Sequence, residues 1–290
     1  MEQLNNIYFI LMESVTIIFS WKKIFTQITI ATIFPLYLLS LLHELLFSNI
    51  LHNSFNNSPN KWWFCLFNAA YIVLFLVLSL VSTSGVVEAV ALVYTAKEPR
   101  FAEVMGVVPR VWKRVTATFL WSLLLVVTYN TAAFAPISPW VSYNLIFYSV
   151  YAAGFVYISI IWHLASVVSV LEECGGVDAM IKGLGLVKGR MVISGVVFFL
   201  LNLCFVWIEV VFQRYVVVGE MVWRRIGCGI VSLLVLCGIT LLGLVTQTVV
   251  YFDCKLYHGE INIIPIANSN DARVDLGDYA PFRSNELDRC

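Results

Sequence analysis

Two ionisable residues, Glu88 and His163, interrupt otherwise apolar runs in this chain. A charge at the bilayer centre costs about 2.5–3.5 kcal/mol on insertion scales, so such residues face one another or a polar path. Shifting the sequence by 76 residues places Glu88 one position from His163. The chemistry open to them is an ion pair joining two segments, or part of a proton or solute path. The alternative is that each reaches the polar interface, since both lie near the end of their apolar runs.

A second group, Asp253, Cys254, His258 and Glu260, follows the last apolar run. Cys254 and His258 stand four apart, a spacing that a metal ion exploits on a helix. A zinc site needs more well-placed ligands than this segment offers, so no metal site and no cofactor are assigned. By position alone Cys254 is also a palmitoylation candidate. No phosphate-binding glycine loop, nucleophile elbow, zinc-protease helix or paired-carboxylate hydrolase pattern occurs, and the chain reads as non-enzymatic.

The remaining candidates are basic corners: Trp21, Lys22 and Lys23; Trp112, Lys113 and Arg114; and Lys188 with Arg190. Tryptophan favours the membrane interface, and each Lys or Arg gains about 1 kcal/mol near anionic headgroups. Lipid-headgroup contact is the chemistry they suit.

The elements that must position these residues are membrane helices. Of 290 residues, 60% are hydrophobic and only 12% charged, against about 25% charged in a soluble domain. Net charge is zero, which gives no reason to expect a nucleic-acid partner. The seven cysteines are scattered and odd in number, which argues against a disulfide framework. The start carries Glu2 and Glu13 in place of a basic signal-peptide region, so the first span is expected to serve as targeting signal.

About 20 apolar residues cross a bilayer. Six segments qualify: Ile24–Phe47, Phe64–Tyr94, Val115–Ala135, Leu145–Leu171, Val192–Phe212 and Ile226–Phe252. The second would reach about 46 Å as one helix. It must tilt, emerge from the membrane, or bend at Ser82-Thr83-Ser84-Gly85. Pro35 predicts a kink in the first. With a cytosolic N-terminus, fourteen of the eighteen Lys and Arg residues fall inside, leaving Lys61, Arg214, Arg224 and Arg225 outside. Both termini are therefore placed in the cytosol. The Asn56-Asn57-Ser58 sequon lies in a predicted outside loop, although Pro59 disfavours its use.

The chain also reads as repeated. Phe101, Val104, Met105, Val108, Val111 and Val115 follow helical spacing, with Arg100, Glu103, Arg110, Lys113 and Arg114 on the other face. Seventy-six residues later the stripe returns as Val177, Met180, Ile181, Leu184, Val187 and Met191. A fainter copy opens the chain, where Ser20-Trp21-Lys22-Lys23-Ile24 matches Val111-Trp112-Lys113-Arg114-Val115. The predicted unit is an amphipathic interfacial helix, a basic corner and two spans, used three times. Asn68, Asn202 and Gln247 are expected to bond between helices.

The run Glu172-Glu173-Cys174-Gly175-Gly176-Val177-Asp178-Ala179-Met180, continuing to Leu186-Val187-Lys188-Gly189-Arg190, is similar to a pattern in multi-span domains related to the glycerophosphodiester phosphodiesterase membrane domain. Gly183 stands where that pattern usually has serine. Val107–Arg114, Tyr251–Glu260 and Gly277-Asp278-Tyr279-Ala280-Pro281 resemble a plant family of uncharacterised multi-pass membrane proteins. The resemblance implies architecture and no chemistry, and no catalytic phosphodiesterase domain accompanies it.

The expected fold is thus all-α integral membrane, with about six transmembrane helices and cytosolic interfacial helices. Residues 1–258 form the polytopic domain and 259–290 a flexible cytosolic tail. The expected role is an endomembrane or plasma-membrane protein that organises bilayer, anionic lipids or other membrane proteins. The alternative is a small-solute transporter or channel.

Overall fold

The computed structural model describes residues 2–54, 61–95, 99–134, 145–217, 221–259, 262–264 and 273–275. The sequon at Asn56 and the 277–281 run lie outside these residues. The described helices are α1 (Glu2–Ser20), α2 (Lys22–Ile28), α3 (Phe34–Ser54), α4 (Lys61–Tyr94), α5 (Phe101–Phe134), α6 (Leu145–Leu171), α7 (Val177–Val187), α8 (Met191–Phe212) and α9 (Val222–Tyr257). The tail contributes two three-residue antiparallel strands, β1 (Asn262–Ile264) and β2 (Arg273–Asp275), with Ile263 opposite Val274. Six helical segments are long and apolar enough to cross a bilayer, and each overlaps its predicted span. This is an all-α, multi-pass membrane fold.

Side-chain burial explains how the six are arranged. α4, α6 and α9, the second span of each predicted unit, contact one another. They supply most of the main core, including Val86–Leu92, Leu164–Val168 and Val245–Cys254. α1 packs along α8 and α9 at the same end as α7, which will be called the basic end.

Local sequence decides where the helices bend. Between α2 and α3 the chain forms a π turn over Thr29–Ile33, just ahead of Pro35. Proline cannot donate to the carbonyl four residues back, and a widened turn absorbs that defect. α4 runs as one unbroken helix through the buried Ser82–Gly85, where a break was one of the alternatives. Their small side chains let neighbouring helices close on α4; a Cβ at Gly85 would stand 3.1 Å from Met105 Cε.

The three units differ at their corners. α1 and α2 are separated at Trp21, and α7 and α8 at Lys188–Arg190. In the middle unit there is no corner, because the predicted interfacial helix and third span are one helix, α5, of 34 residues. The residue aligned with Lys113 in the later copy is Gly189, whose φ is +98°. Glycine adopts that conformation without penalty, whereas a side chain such as that of Lys113 favours continued helix. Pro109 sits on the exposed face of α5, where one lost hydrogen bond is outweighed by burial of Val104, Val108, Val111 and Val115.

α7 divides its predicted stripe between the protein and the outside. Its buried residues are Ala179, Gly183, Leu186 and Val187, while Val177 and Ile181 are 43% and 64% exposed. Gly183 sets this rotation, since a Cβ there would lie 3.2 Å from the Ala165 backbone nitrogen on α6. Leu186 and Val187 face the protein beside the small Ala179 and Gly183, and Val177 and Ile181 face outward.

Gly189→Ala is expected to destabilise the fold by about 1–2 kcal/mol, through left-handed strain. Its Cβ would also fall 2.6 Å from the Tyr257 ring, forcing that side chain aside. Detergent unfolding monitored by tryptophan fluorescence checks this; a midpoint equal to wild type would show that the corner bears no strain.

Candidate functional site

At the basic end the chain gathers its charges around one carboxylate. Glu172 follows the last turn of α6, where the Cys174–Gly176 turn leads into α7. Its Oε1 accepts hydrogen bonds from the Tyr251 hydroxyl at 2.6 Å and from Lys255 Nζ at 3.1 Å. Its Oε2 pairs with Lys182 Nζ at 2.5 Å. Tyr251 and Lys255 lie four apart, so one face of α9 presents both. The Glu172 carbonyl accepts from Arg114 Nη1 at 3.0 Å, and the Gly176 amide donates to Thr118 Oγ1 at 2.8 Å. α5, α6, α7 and α9 thus meet at this residue. Burial raises the carboxyl's affinity for protons, but hydrogen bonds from Lys182 and Tyr251 and the Lys255 charge outweigh it and hold Glu172 below the ordinary value.

Two further ties close the same end. Arg190 pairs with Asp253 at 3.0 Å, with its guanidinium 5.3 Å from the Tyr257 ring centre. His258 Nε2 stands 3.0 Å from the Leu186 carbonyl, joining α9 to α7. On α1, Glu13 Oε1 accepts from the Tyr94 hydroxyl at 2.6 Å. There burial pushes Glu13 up more than the Tyr94 bond lowers it, with the Asp253 charge adding to the rise.

These contacts divide the cations into two sets. Arg114, Arg190, Lys182 and Lys255 are engaged with protein groups. Lys22, Lys23, Arg100, Arg110, Lys113 and Lys188 are exposed and make no ion pair among the described residues. Trp21 at the first corner and Trp112 within α5 pack half-buried on the core.

Deeper in the bundle runs a polar seam. His163 Nδ1 lies 2.8 Å from Gln247 Oε1, linking α6 to α9, and the imidazole stacks on Phe198 of α8 with ring centres 4.6 Å apart. Asn202 donates to Ser159 Oγ at 3.0 Å, linking α8 to α6. The Gln247 side chain is fully buried, with Nε2 lacking a hydrogen-bond partner among the described residues. Glu88 is 6% exposed on α4. It sits six residues before Tyr94, whose ring meets Phe252 at 4.6 Å. At 1.5 Å per residue Glu88, His163 and Gln247 lie about 6–14 Å inward from the basic-end cluster.

A family model described as a domain of unknown function, DUF8558, matches residues 1–288. The chain belongs to the DUF8558 family. No curated protein and no solved structure matches it. Membership agrees with the uncharacterised family that the sequence resembles; it shows neither a plant origin nor a relation to the glycerophosphodiester phosphodiesterase membrane domain.

For this DUF8558 chain, the side-chain hydrogen bond of His163 is to Gln247 on α9. Asn68, Asn202 and Gln247 all bond between helices as predicted, Asn68 through His43 at 3.2 Å. Asp253, Cys254 and His258 do not converge. Cys254 is fully buried, which removes it as an acylation site, and its neighbours face Arg190 and Leu186. Glu260 lies outside the described residues. The hub at Glu172 was not legible as a site. Its signal is modest: an acid before a glycine pair, a lysine ten residues on, and a Tyr-x-x-x-Lys face on the last helix.

Proposed function

We propose that this protein is a non-enzymatic organiser of the membrane in which it sits, gathering anionic lipid and lipid-associated partners at its basic end. That end is read as cytosolic, in an endomembrane or plasma membrane, and α1, α7 and the first turns of α5 are read as interfacial helices. The observation that carries the reading is the set of six exposed cations without an ion pair among the described residues. Against them stand three exposed acids described at the same end, Glu103, Glu173 and Asp178. A bundle that needed these cations only for its own stability would pair them, as it pairs Lys182 and Lys255. Beside anionic headgroups each contributes about 1 kcal/mol, and tryptophan at the corners fixes the depth.

Reconstitution into vesicles of mixed phosphatidylserine and phosphatidylcholine tests it, with lipid enrichment read by energy transfer from the tryptophans to labelled lipid. Wild type is expected to enrich phosphatidylserine. The variant carrying Lys22→Gln, Lys23→Gln, Lys113→Gln and Lys188→Gln is expected to lose most of that enrichment, and 0.5 M salt to weaken it in wild type. Enrichment that survives all four substitutions would overturn the reading.

A second reading, passage of a proton or small solute, is favoured by the His163–Gln247 seam with Glu88 buried nearby. Flux in sealed proteoliposomes that disappears in Glu88→Gln or His163→Ala would place it first.

A further inference from the structure

At the end opposite the basic one, the helices separate into a smaller satellite core of Leu41, Phe212, Val216 and Leu236. Around it α3, α8 and α9 leave two recesses. One, of about 350 Å3, is walled by leucine and isoleucine side chains such as Leu38, Leu42, Ile226 and Ile230, with Arg225 on its rim. The other, of about 560 Å3, is lined by Tyr37, Phe205, Glu209, Gln213 and Arg214, among others. Both volumes fall in the range of ligand sites, about 300–1,000 Å3. The walls face outward: Leu42, Ile226 and Ile230 are about half exposed. An apolar recess open to hydrocarbon offers water no partners and takes an acyl chain.

We propose that the two recesses are parts of one groove, and that it holds a phospholipid whose head is a phospho-ammonium zwitterion of the ethanolamine type. The polar rim supplies both halves of that head. Arg225 donates through Nε to the Val216 carbonyl at 2.8 Å, and a guanidinium has four further N–H donors suited to a phosphate. Arg214 lines the second recess, and the guanidinium of Arg224, next to Arg225 in the chain, lies 6.0 Å from the Tyr215 ring centre. On α3 the Glu44 carboxyl accepts a hydrogen bond from Gln213, which lines the second recess together with Glu209. A carboxyl pair accepts from a primary ammonium, which carries three N–H groups; a choline head has none to give. A purely anionic head would satisfy the arginines and be repelled by the two acids. Three of the four Lys and Arg residues predicted outside the cytosol cluster here, so the rim is set apart from the rest of that end. The groove lies away from the exposed cations of the basic end and stands independently of the function proposed for them.

The test uses full-length protein, stripped of lipid in detergent and placed in nanodiscs of phosphatidylethanolamine, phosphatidylcholine or phosphatidylglycerol. Retained lipid is then counted by native mass spectrometry. Wild type is expected to retain phosphatidylethanolamine about tenfold over the other two, the scale of one charge-assisted contact. Arg225→Gln is expected to lower retention of every phospholipid, and Glu209→Gln to erase the preference while leaving binding. Gly229→Leu fills the recess, since a Cβ there meets nothing closer than Val216 at 3.8 Å, and is expected to abolish retention. Unfolding midpoints confirm that each variant is folded, and Arg225→Gln carries the test if Gly229→Leu is not. Equal retention of the three lipids overturns the proposal. So does a dimer, lost in Gly229→Leu, that occupies the groove without lipid.

Discussion

Replacing Glu172 by glutamine is expected to lower the unfolding free energy by about 2–3 kcal/mol. The shape is conserved, so the loss measures charge and hydrogen bonding. Lys182 is 47% exposed and turns to water at little cost. Lys255, at 21% exposed, and the buried Tyr251 hydroxyl have no such outlet. Breaking a fully buried ion pair costs about 3–5 kcal/mol, and the half-exposed partner brings the figure down. Reversible unfolding by denaturant in mixed micelles reads the value. A companion variant, Glu172→Gln with Lys255→Met, is expected to recover at least part of the loss, since it removes the stranded cation. A single-variant midpoint within about 0.5 kcal/mol of wild type would mean the hub contributes nothing beyond geometry.

The same residue gives a pH dependence of definite sign. Glu172 is held below its ordinary value in the folded protein, so the unfolded state binds protons more readily. Its contribution is present in full well above the unfolded value of about 4.3 and is lost as pH falls through the folded one. Glu13, pushed upward by burial, works in the opposite sense, favouring the fold at lower pH and losing that contribution as pH rises. The difference between wild type and Glu172→Gln removes the Glu13 part, because both proteins share it. That difference is expected to shrink steadily below pH 4.3; a difference unchanged by acid would show that the carboxylate is not the stabilising form.

His163→Ala is expected to cost about 2–3 kcal/mol, most of it through its partners. The substitution strips Gln247 Oε1 of the contact at 2.8 Å and empties the space against Phe198. A buried polar group left without a partner costs about 1–3 kcal/mol, more than the roughly 0.6 kcal/mol that an interhelical bond contributes on average in a membrane. Replacing both partners, His163→Leu with Gln247→Leu, is expected to be milder than His163→Ala alone. A double-mutant cycle completed by His163→Leu and Gln247→Leu singly should return a coupling of about 1 kcal/mol. Additive effects would show that the pair does not interact, and would also weaken the case for a proton path through it.

The burial of Glu88 is a fact of packing that its sequence position does not report. A carboxyl near the end of an apolar run reaches water if its helix stands at the bundle rim, and meets protein if the helix stands at the centre. α4 stands at the centre, packed on α6 and α9, so Glu88 is 6% exposed. Hydropathy does not report which spans are central, because lipid-facing and core-facing apolar residues look alike in a membrane sequence. α7 shows the same ambiguity: its apolar stripe was legible, but the face turned to the protein was set by Gly183. The cysteine and histidine near the end of α9 offered a ligand spacing, but Cys254 is buried and His258 bonds to the Leu186 carbonyl.

What the sequence determined by itself is the membrane character, the six apolar segments and the basic clusters between them. Each depends on solvent: apolar runs of bilayer length must be helical there, since no water satisfies an exposed backbone. Tertiary structure alone decided which cations are engaged and which remain exposed, that Glu172 is where four helices meet, that His163 bonds to Gln247, and where the far end opens into a groove. Those outcomes depend on helix rotation and close approach, which turn on single residues such as Gly183 and Gly189 and on contacts between positions as distant as Glu172 and Tyr251. Periodicity along a chain carries the solvent-facing rule and is silent on which helix lies next to which.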